Sequence, residues 1–159
     1  MRVGVISDTH GDRAILREAV LSAGSVGHWL HAGDIYKDAI FLAQISDAPV
    51  TAVAGNCDLG GGPFPEEERL AINGVNIWLT HGHRHNVKRT IQDLIWRGRQ
   101  CGAAIVVFGH THLPYKAWHD GALLFNPGSL RYPRGEWPTF GVIDLGEGKN
   151  ITAEIIKVE

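Results

Sequence analysis

Short apolar runs ending in Gly, Asp, Asn or His alternate with helical periodicity through the first half of the chain, which predicts parallel βαβ units. Residues 2–6 form the first run. Asp12 stands where a helix N-cap is needed. Ala14, Ile15, Leu16, Ala19, Val20 and Leu21 then make one apolar stripe that ends near Gly24. Val26 to Leu30 predicts a second strand, residues 37–46 a second helix, and Val50 to Ala54 a third strand. From Leu59 to Pro65 the chain is so rich in Gly and Pro that only a loop fits. Residues 69–72 and 75–80 flank Asn73-Gly74, the strongest hairpin signal in the sequence. An amphipathic helix is expected from about Asn86 to Cys101, then strands at 103–108, 115–118 and 121–125. Thr139 to Leu145 and Ile151 to Val158 alternate around a turn and predict a closing hairpin. Parallel strands first and hairpins later predict an α/β fold of two packed mixed β-sheets flanked by helices.

The chain has 159 residues, enough for one domain spanning 1–159, and 44 % of them are hydrophobic, enough to fill its core. Lys plus Arg number 15 and Asp plus Glu 17, a net charge of −2 that gives no general attraction to nucleic acid or an anionic membrane. No apolar stretch approaches the ~20 residues a membrane helix needs. Met1 leads straight into a strand rather than a signal peptide. Cys57 and Cys101 make no disulfide framework, so a cytoplasmic protein with reduced thiols is expected. Nine histidines are many for this length, and their placement matters more than their number.

Five apolar strand candidates each run directly into a polar cluster. These are Ser7-Asp8-Thr9-His10, His31-Ala32-Gly33-Asp34, Gly55-Asn56-Cys57-Asp58, His81-Gly82-His83 and Gly109-His110-Thr111-His112. The carboxyl ends of strands in an open α/β sheet share one rim, so residues more than a hundred positions apart can converge there. Carboxylate, amide and imidazole groups without an obligatory thiolate suit Mn, Fe, Zn or Ni better than Ca, and do not resemble a Cys₄ zinc site. Asp8, His10, Asp34, Asn56, His81, His110 and His112 are too many ligands for one tetrahedral ion. They suit two ions about 3.5–4 Å apart with a shared carboxylate, a geometry that serves phosphoryl displacement.

In that order, Asp8-x-His10, Gly33-Asp34, Gly55-Asn56-x-Asp58, His81-Gly82-His83 and Gly109-His110-x-His112 resemble the calcineurin-like metallophosphoesterase superfamily. The short chain and Asn126-Pro-Gly-Ser129 are similar to its small single-domain phosphodiesterase branch. The resemblance implies a four-layer α/β/β/α fold and two divalent cations, with Mn²⁺ the expected ion. It implies Asp8, His10 and His112 around one metal, Asn56, His81 and His110 around the other, and Asp34 bridging. It further implies a hydroxide between the ions as nucleophile, and His83 on the substrate side. Asp34, Asn56 and His83 are thus the expected catalytic residues, and Cys57 and Asp58 lie just behind the ligands. Cys57 departs from the pattern. Many members carry His there as the general acid, a role typically worth ~10²–10⁴-fold. Diesters or esters with good leaving groups are therefore the expected substrates.

Taken singly, Asp8 and His10 read as helix-entry residues, and Asn56 and Asp58 as turn formers. Five motifs in order outweigh that. His28, His31, His85 and His119 are expected to be surface or satisfied structural histidines. Arg84 and Arg131 are the candidate contacts to an anionic substrate, with Lys88 and Arg134 as neighbours of the same kind, although a solvated helix face is the preferred reading of the basic run 84–99. The partner expected is a small phosphodiester or phosphoester. A membrane is excluded and nucleic acid disfavoured, because interleaved basic and aromatic residues are missing. Leftover tryptophans leave a homodimer open. Two competing readings remain: a non-catalytic protein-binding scaffold, as in the retromer subunit of this fold, and a nuclease.

Overall fold

The computed structural model describes residues 1–60 and 62–159. The elements run β1 (Arg2–Ile6), α1 (Arg13–Ala23), β2 (His28–His31), α2 (Tyr36–Ile45), β3 (Val50–Ala52), β4 (Glu67–Ile72), β5 (Val75–Thr80), α3 (Gln92–Gln100), β6 (Ile105–Val107), β7 (Pro114–His119), β8 (Ala122–Pro127), β9 (Thr139–Leu145) and β10 (Ile151–Lys157). They form two five-stranded mixed sheets, ordered β10-β9-β1-β2-β3 and β4-β5-β6-β8-β7. In the first, β1, β2 and β3 are parallel and the closing hairpin β9–β10 adds antiparallel strands. In the second, β5, β6 and β8 are parallel, with β4 and β7 as antiparallel edges.

The period of two along each strand builds the layers. Val3 and Val5 of β1, Ile77 and Leu79 of β5, Ile105 and Val107 of β6 and Phe125 of β8 fill the space between the sheets. Residues of opposite parity face outward. Ile6 and Trp29 pack under α1 and α2, and Trp78, Val106 and Leu124 under α3. Gly4 is needed for that outer layer, because a Cβ there would lie 2.3 Å from the Trp29 ring. Helices, sheet, sheet and helix therefore stack as four layers, as expected. Among the described residues no helix is long and apolar enough to cross a membrane.

Several element boundaries differ from expectation. The third helix starts at Gln92 rather than Asn86. Asn86 has φ 54, in the left-handed region, and ends a short 3-10 turn at His83–His85, so the apolar spacing of Val87 and Ile91 belongs to an irregular segment. The second and third strands also shift, to 28–31 and 50–52, leaving Val53 and Ala54 to lead into the Asn56 turn. The Gly60–Pro65 segment carries no helix or strand where it is described; Gly61 lies outside the described residues.

Candidate metal centre

The carboxyl ends of β1, β2, β3, β5 and β6 meet where the two sheets adjoin. Their loops are stitched together by main-chain bonds, Asp8 N donating to Gly33 O (3.1 Å) and Gly109 N to His81 O (3.1 Å). Room for this is made by missing side chains. A Cβ on Gly109 would lie 2.0 Å from Ser7 Oγ, and one on Gly55 would lie 2.1 Å from Asp34 Oδ1. The backbone turns sharply at the ligand candidates themselves: Asp8, His10, Asp34, His110 and His112 have φ between 46 and 65. Non-glycine residues in that region are uncommon, with Asn, Asp and His the enriched types, and strain of this kind gathers at functional sites.

Asp8, His10, Asp34 and His112 offer ligand atoms that all lie within 4.8 Å of one another. Their contacts make poor sense without a cation. The Nε2 atoms of His10 and His112 face each other at 3.4 Å, and His112 Nε2 lies 3.1 Å from Asp8 Oδ1. Asp8 Oδ1 is nonetheless buried with no hydrogen bond among the described residues. A buried, unpartnered carboxylate oxygen is costly, and a metal ion answers that cost. The ring nitrogens are oriented for it: His112 Nδ1 donates to Tyr132 O (2.7 Å) and His81 Nδ1 to Ala32 O (2.7 Å), turning both Nε2 atoms into the site.

The second group lies on the other side of Asp34. Its Oδ2 is 3.7 Å from His10 Nε2, whereas Oδ1 is 3.4 Å from His81 Nε2, which in turn meets Asn56 Oδ1 at 3.0 Å. His110 stands edge-on to His81 with ring centroids 5.0 Å apart. His83 is 5.4 Å from His81 and 6.0 Å from His110, and its Nδ1 is buried without a partner among the described residues. All seven ligand candidates and His83 therefore share one rim.

The charges pull against one another. Burial alone would raise the Asp34 carboxyl, but His81 and the Cys57 amide (3.0 Å to Oδ1) hold it well below the usual carboxylate range. Burial would likewise lower His81, yet Asp34 and Asp8 raise it, and the Asp8 carboxylate 3.1 Å away raises His112. The carboxylates thus draw positive charge toward themselves. His110 goes the other way, burial and then the His81 charge bringing it down to about 4, so its ring is a neutral donor at pH 7. Loss of water and the Asp34 carboxylate push the Cys57 thiol up to about 11.

The Asp58 carboxylate accepts from Gly55 N (2.7 Å) and Tyr36 N (2.8 Å), fixing the Asn56 turn against α2. Arg84 pairs with Glu66 at 2.6 Å and Arg131 with Asp12 at 3.1 Å, so both expected substrate contacts already hold a carboxylate. His31 is fully buried against Thr9, and His85 is clamped between Asp93 (2.5 Å) and Glu67 (2.6 Å). Both are structural. Sequence reasoning missed Ser7, Asp38 and Tyr132. Ser7 Oγ donates to Asp8 Oδ2 (2.5 Å), while Asp38 accepts from Thr9 Oγ1 (2.6 Å) and Gly11 N (2.7 Å). In the sequence Asp38 looks like an ordinary acid in a first helical turn, and only its burial gives it away.

A two-sheet α/β sandwich whose strand ends gather Asp, His and Asn donors defines a metallophosphoesterase-type protein. The model of the calcineurin-like phosphoesterase superfamily domain matches residues 1–148, and the chain belongs to that superfamily. It is 37% identical to a probable metallophosphoesterase of Methanothermobacter thermautotrophicus, over 99% of this chain and 92% of that one. It is 29% identical to the phosphodiesterase YfcE of Escherichia coli, over 91% of this chain and 88% of the relative. Among solved structures, Vps29 of Entamoeba histolytica complexed with Zn²⁺ shares the fold, with TM-score 0.76 at 23% identity and full coverage of both chains.

Proposed function

We propose that this protein is a binuclear metal-dependent phosphodiesterase of the cytoplasm, acting on small diesters with good leaving groups. The observation that carries the reading is Asp34, whose two carboxylate oxygens face separate donor groups, His10 on one side and His81 with Asn56 on the other. That division is what a bridging ligand requires. Asp8, His10 and His112 would hold one ion and Asn56, His81 and His110 the other, with Mn²⁺ the first candidate and Fe, Zn or Ni compatible with the donors. When bound, such ions acidify water to a nucleophile near neutral pH and neutralise charge on the phosphoryl oxygens.

Hydrolysis joins the oxygen of water to phosphorus, breaks the bond to one ester oxygen and delivers a proton to that oxygen. His83 lies beside His81 and His110, where it can orient a phosphoryl oxygen of the ester. Cys57 occupies the turn where an acid for the departing oxygen would stand, and a thiol raised to about 11 is a far weaker acid than an imidazolium, so it gives little protonation to a departing oxygen in the transition state. Leaving groups that need no proton are therefore favoured. The kinship with YfcE supports the diester, and the two free cysteines accord with a reducing compartment.

The likeness to Vps29 is the ground for a second reading, a non-catalytic protein-binding scaffold. One assay separates them. Purified protein with added Mn²⁺ should hydrolyse bis-p-nitrophenyl phosphate, and Asp34→Asn should abolish the activity. No turnover with Mn²⁺, Fe²⁺, Zn²⁺ or Ni²⁺ would leave the scaffold, and undiminished turnover by Asp34→Asn would trace the activity to a contaminant.

A further inference from the structure

Beside the donor cluster lies a cavity of about 350 Å³ lined by Val87, Ile91, Phe108, Leu113, Pro114 and Tyr115, with Lys88 and Arg134 at its rim. Thr111 also lines it, and Thr111 is the residue between His110 and His112. The cavity therefore shares a wall with the candidate metal centre. Arg134 is tied to the same wall, its backbone N donating to His112 O at 3.0 Å. Phe108 and Val87 of the lining are buried in the layer under α3.

The rim cations differ from the other candidates near the site. Arg84 and Arg131 are neutralised by Glu66 and Asp12, whereas Lys88 and Arg134 hold no carboxylate among the described residues. Two unneutralised cations over an apolar cavity demand an occupant with an apolar body and a negative end. A wholly apolar occupant would leave the charges idle, and a bare anion would leave the cavity empty.

We propose that this cavity receives one ester arm of the substrate, and that the arm is an aromatic group bearing a second anion besides the scissile phosphate. The assignment rests on the phosphodiesterase reading and adds specificity to it. The phosphoryl group at the metal centre and the arm in the cavity would be held at once, Lys88 and Arg134 taking the second charge and Tyr115, Ile91 and Leu113 the ring. Selection between esters then comes from this cavity rather than from the donors, which meet only the phosphoryl oxygens.

The test uses two 4-nitrophenyl diesters, one with a phenyl arm and one with a 4-carboxyphenyl arm, and the Mn²⁺-loaded protein. The parent should favour the carboxylated ester about tenfold in kcat/KM, and Lys88→Gln/Arg134→Gln should bring the ratio to about one. In parallel, the metal-free protein is titrated with naphthalene-1-sulfonate, which cannot be hydrolysed, and amide shifts are followed by NMR. Shifts should centre on Val87, Ile91, Thr111 and Leu113, be absent with methanesulfonate, and vanish in the double variant. Hydrolysis of both esters with a ratio near one in the parent, or shifts centred elsewhere, overturns the cavity assignment while leaving the phosphodiesterase reading intact. Hydrolysis of neither ester, with the shift map as expected, overturns the phosphodiesterase reading and with it the role of the cavity as a substrate subsite.

Discussion

A single methyl group placed on Gly109 tests whether the site depends on close backbone approach. Gly109 is not in the left-handed region, so alanine brings no backbone strain and any effect is steric. Its Cβ would sit 2.0 Å from Ser7 Oγ and 2.8 Å from Asp8 Oδ2, both fully buried. Ordinary contact begins near 3.4 Å, so Ser7 or the loop must yield by about 1.4 Å. Rotating Ser7 sacrifices its 2.5 Å bond to Asp8 and frees that carboxylate from its aim. Overpacking of this kind costs about 1–3 kcal/mol, which for a chain of this size lowers Tm by roughly 2–12 °C. Misplacing a catalytic group by about 1 Å can cost ~10²-fold in rate. Gly109→Ala should therefore lose about that factor in kcat/KM on bis-p-nitrophenyl phosphate, and bind Mn²⁺ at least tenfold more weakly by calorimetry. Gly146→Ala is the control, because its Cβ meets only Asn150 at 3.5 Å, away from the rim. Adding Ser7→Ala to Gly109→Ala removes the clashing oxygen and should recover part of the Tm but little of the Mn²⁺ affinity, since Asp8 stays crowded. Metal affinity and rate within twofold of the parent in Gly109→Ala would refute the steric account.

Other outcomes follow from the same geometry. Cys57→His should raise hydrolysis of alkyl esters about tenfold or more while changing nitrophenyl esters little, and equal effects on both would discard the missing-acid explanation. His31 is pushed below its ordinary value by burial, so its ring should titrate below 6.5 by NMR in the metal-free protein. The unfolded chain then binds the proton more readily, and the stability His31 contributes is full above pH 6.5 and lost as pH falls toward the folded value. A ring titrating at or above 6.5 would contradict this. His85→Ala removes the link between Glu67 of β4 and Asp93 of α3 and should cost about 1–3 kcal/mol in denaturant unfolding. Its hydrolytic rate at a temperature where the variant is folded should stay within about threefold.

The layers could be read from the sequence because strand parity and turn chemistry repeat through it. Val3-x-Val5, Ile77-x-Leu79 and Ile105-x-Val107 each mark the face between the sheets, and Asn73-Gly74 marks its hairpin. Convergence of the donors could be anticipated because parallel strands place their ends together, whatever their separation in the chain. The start of α3 could not, since Val87 and Ile91 keep helical spacing while Asn86 breaks the backbone into the left-handed region. Nor could the state of the cations. Whether Arg84 and Arg131 are free depends on Glu66 and Asp12, acids whose proximity only the folded loops decide. Ser7 and Asp38 escaped for a similar reason, because Ser7 acts through the Asp8 carboxylate and Asp38 through the Thr9–Gly11 loop, contacts that only the fold creates.

The left-handed backbone at Asp8, His10, Asp34, His110 and His112 bears on how such a protein could lose its chemistry. Asp, Asn and His are both the residue types that bind these metals and the types that bear such a turn with least strain. A lineage released from catalysis would keep its architecture by drifting to Asn or Gly at these places, shedding donors while the chain still bends correctly. His110, whose ring makes no hydrogen bond among the described residues, shows the route: His110→Asn should melt within about 1 kcal/mol of the parent without metal, yet lose ion affinity. A hydrolase could in this way become a binding platform by small steps, its frame intact long after the ions have gone.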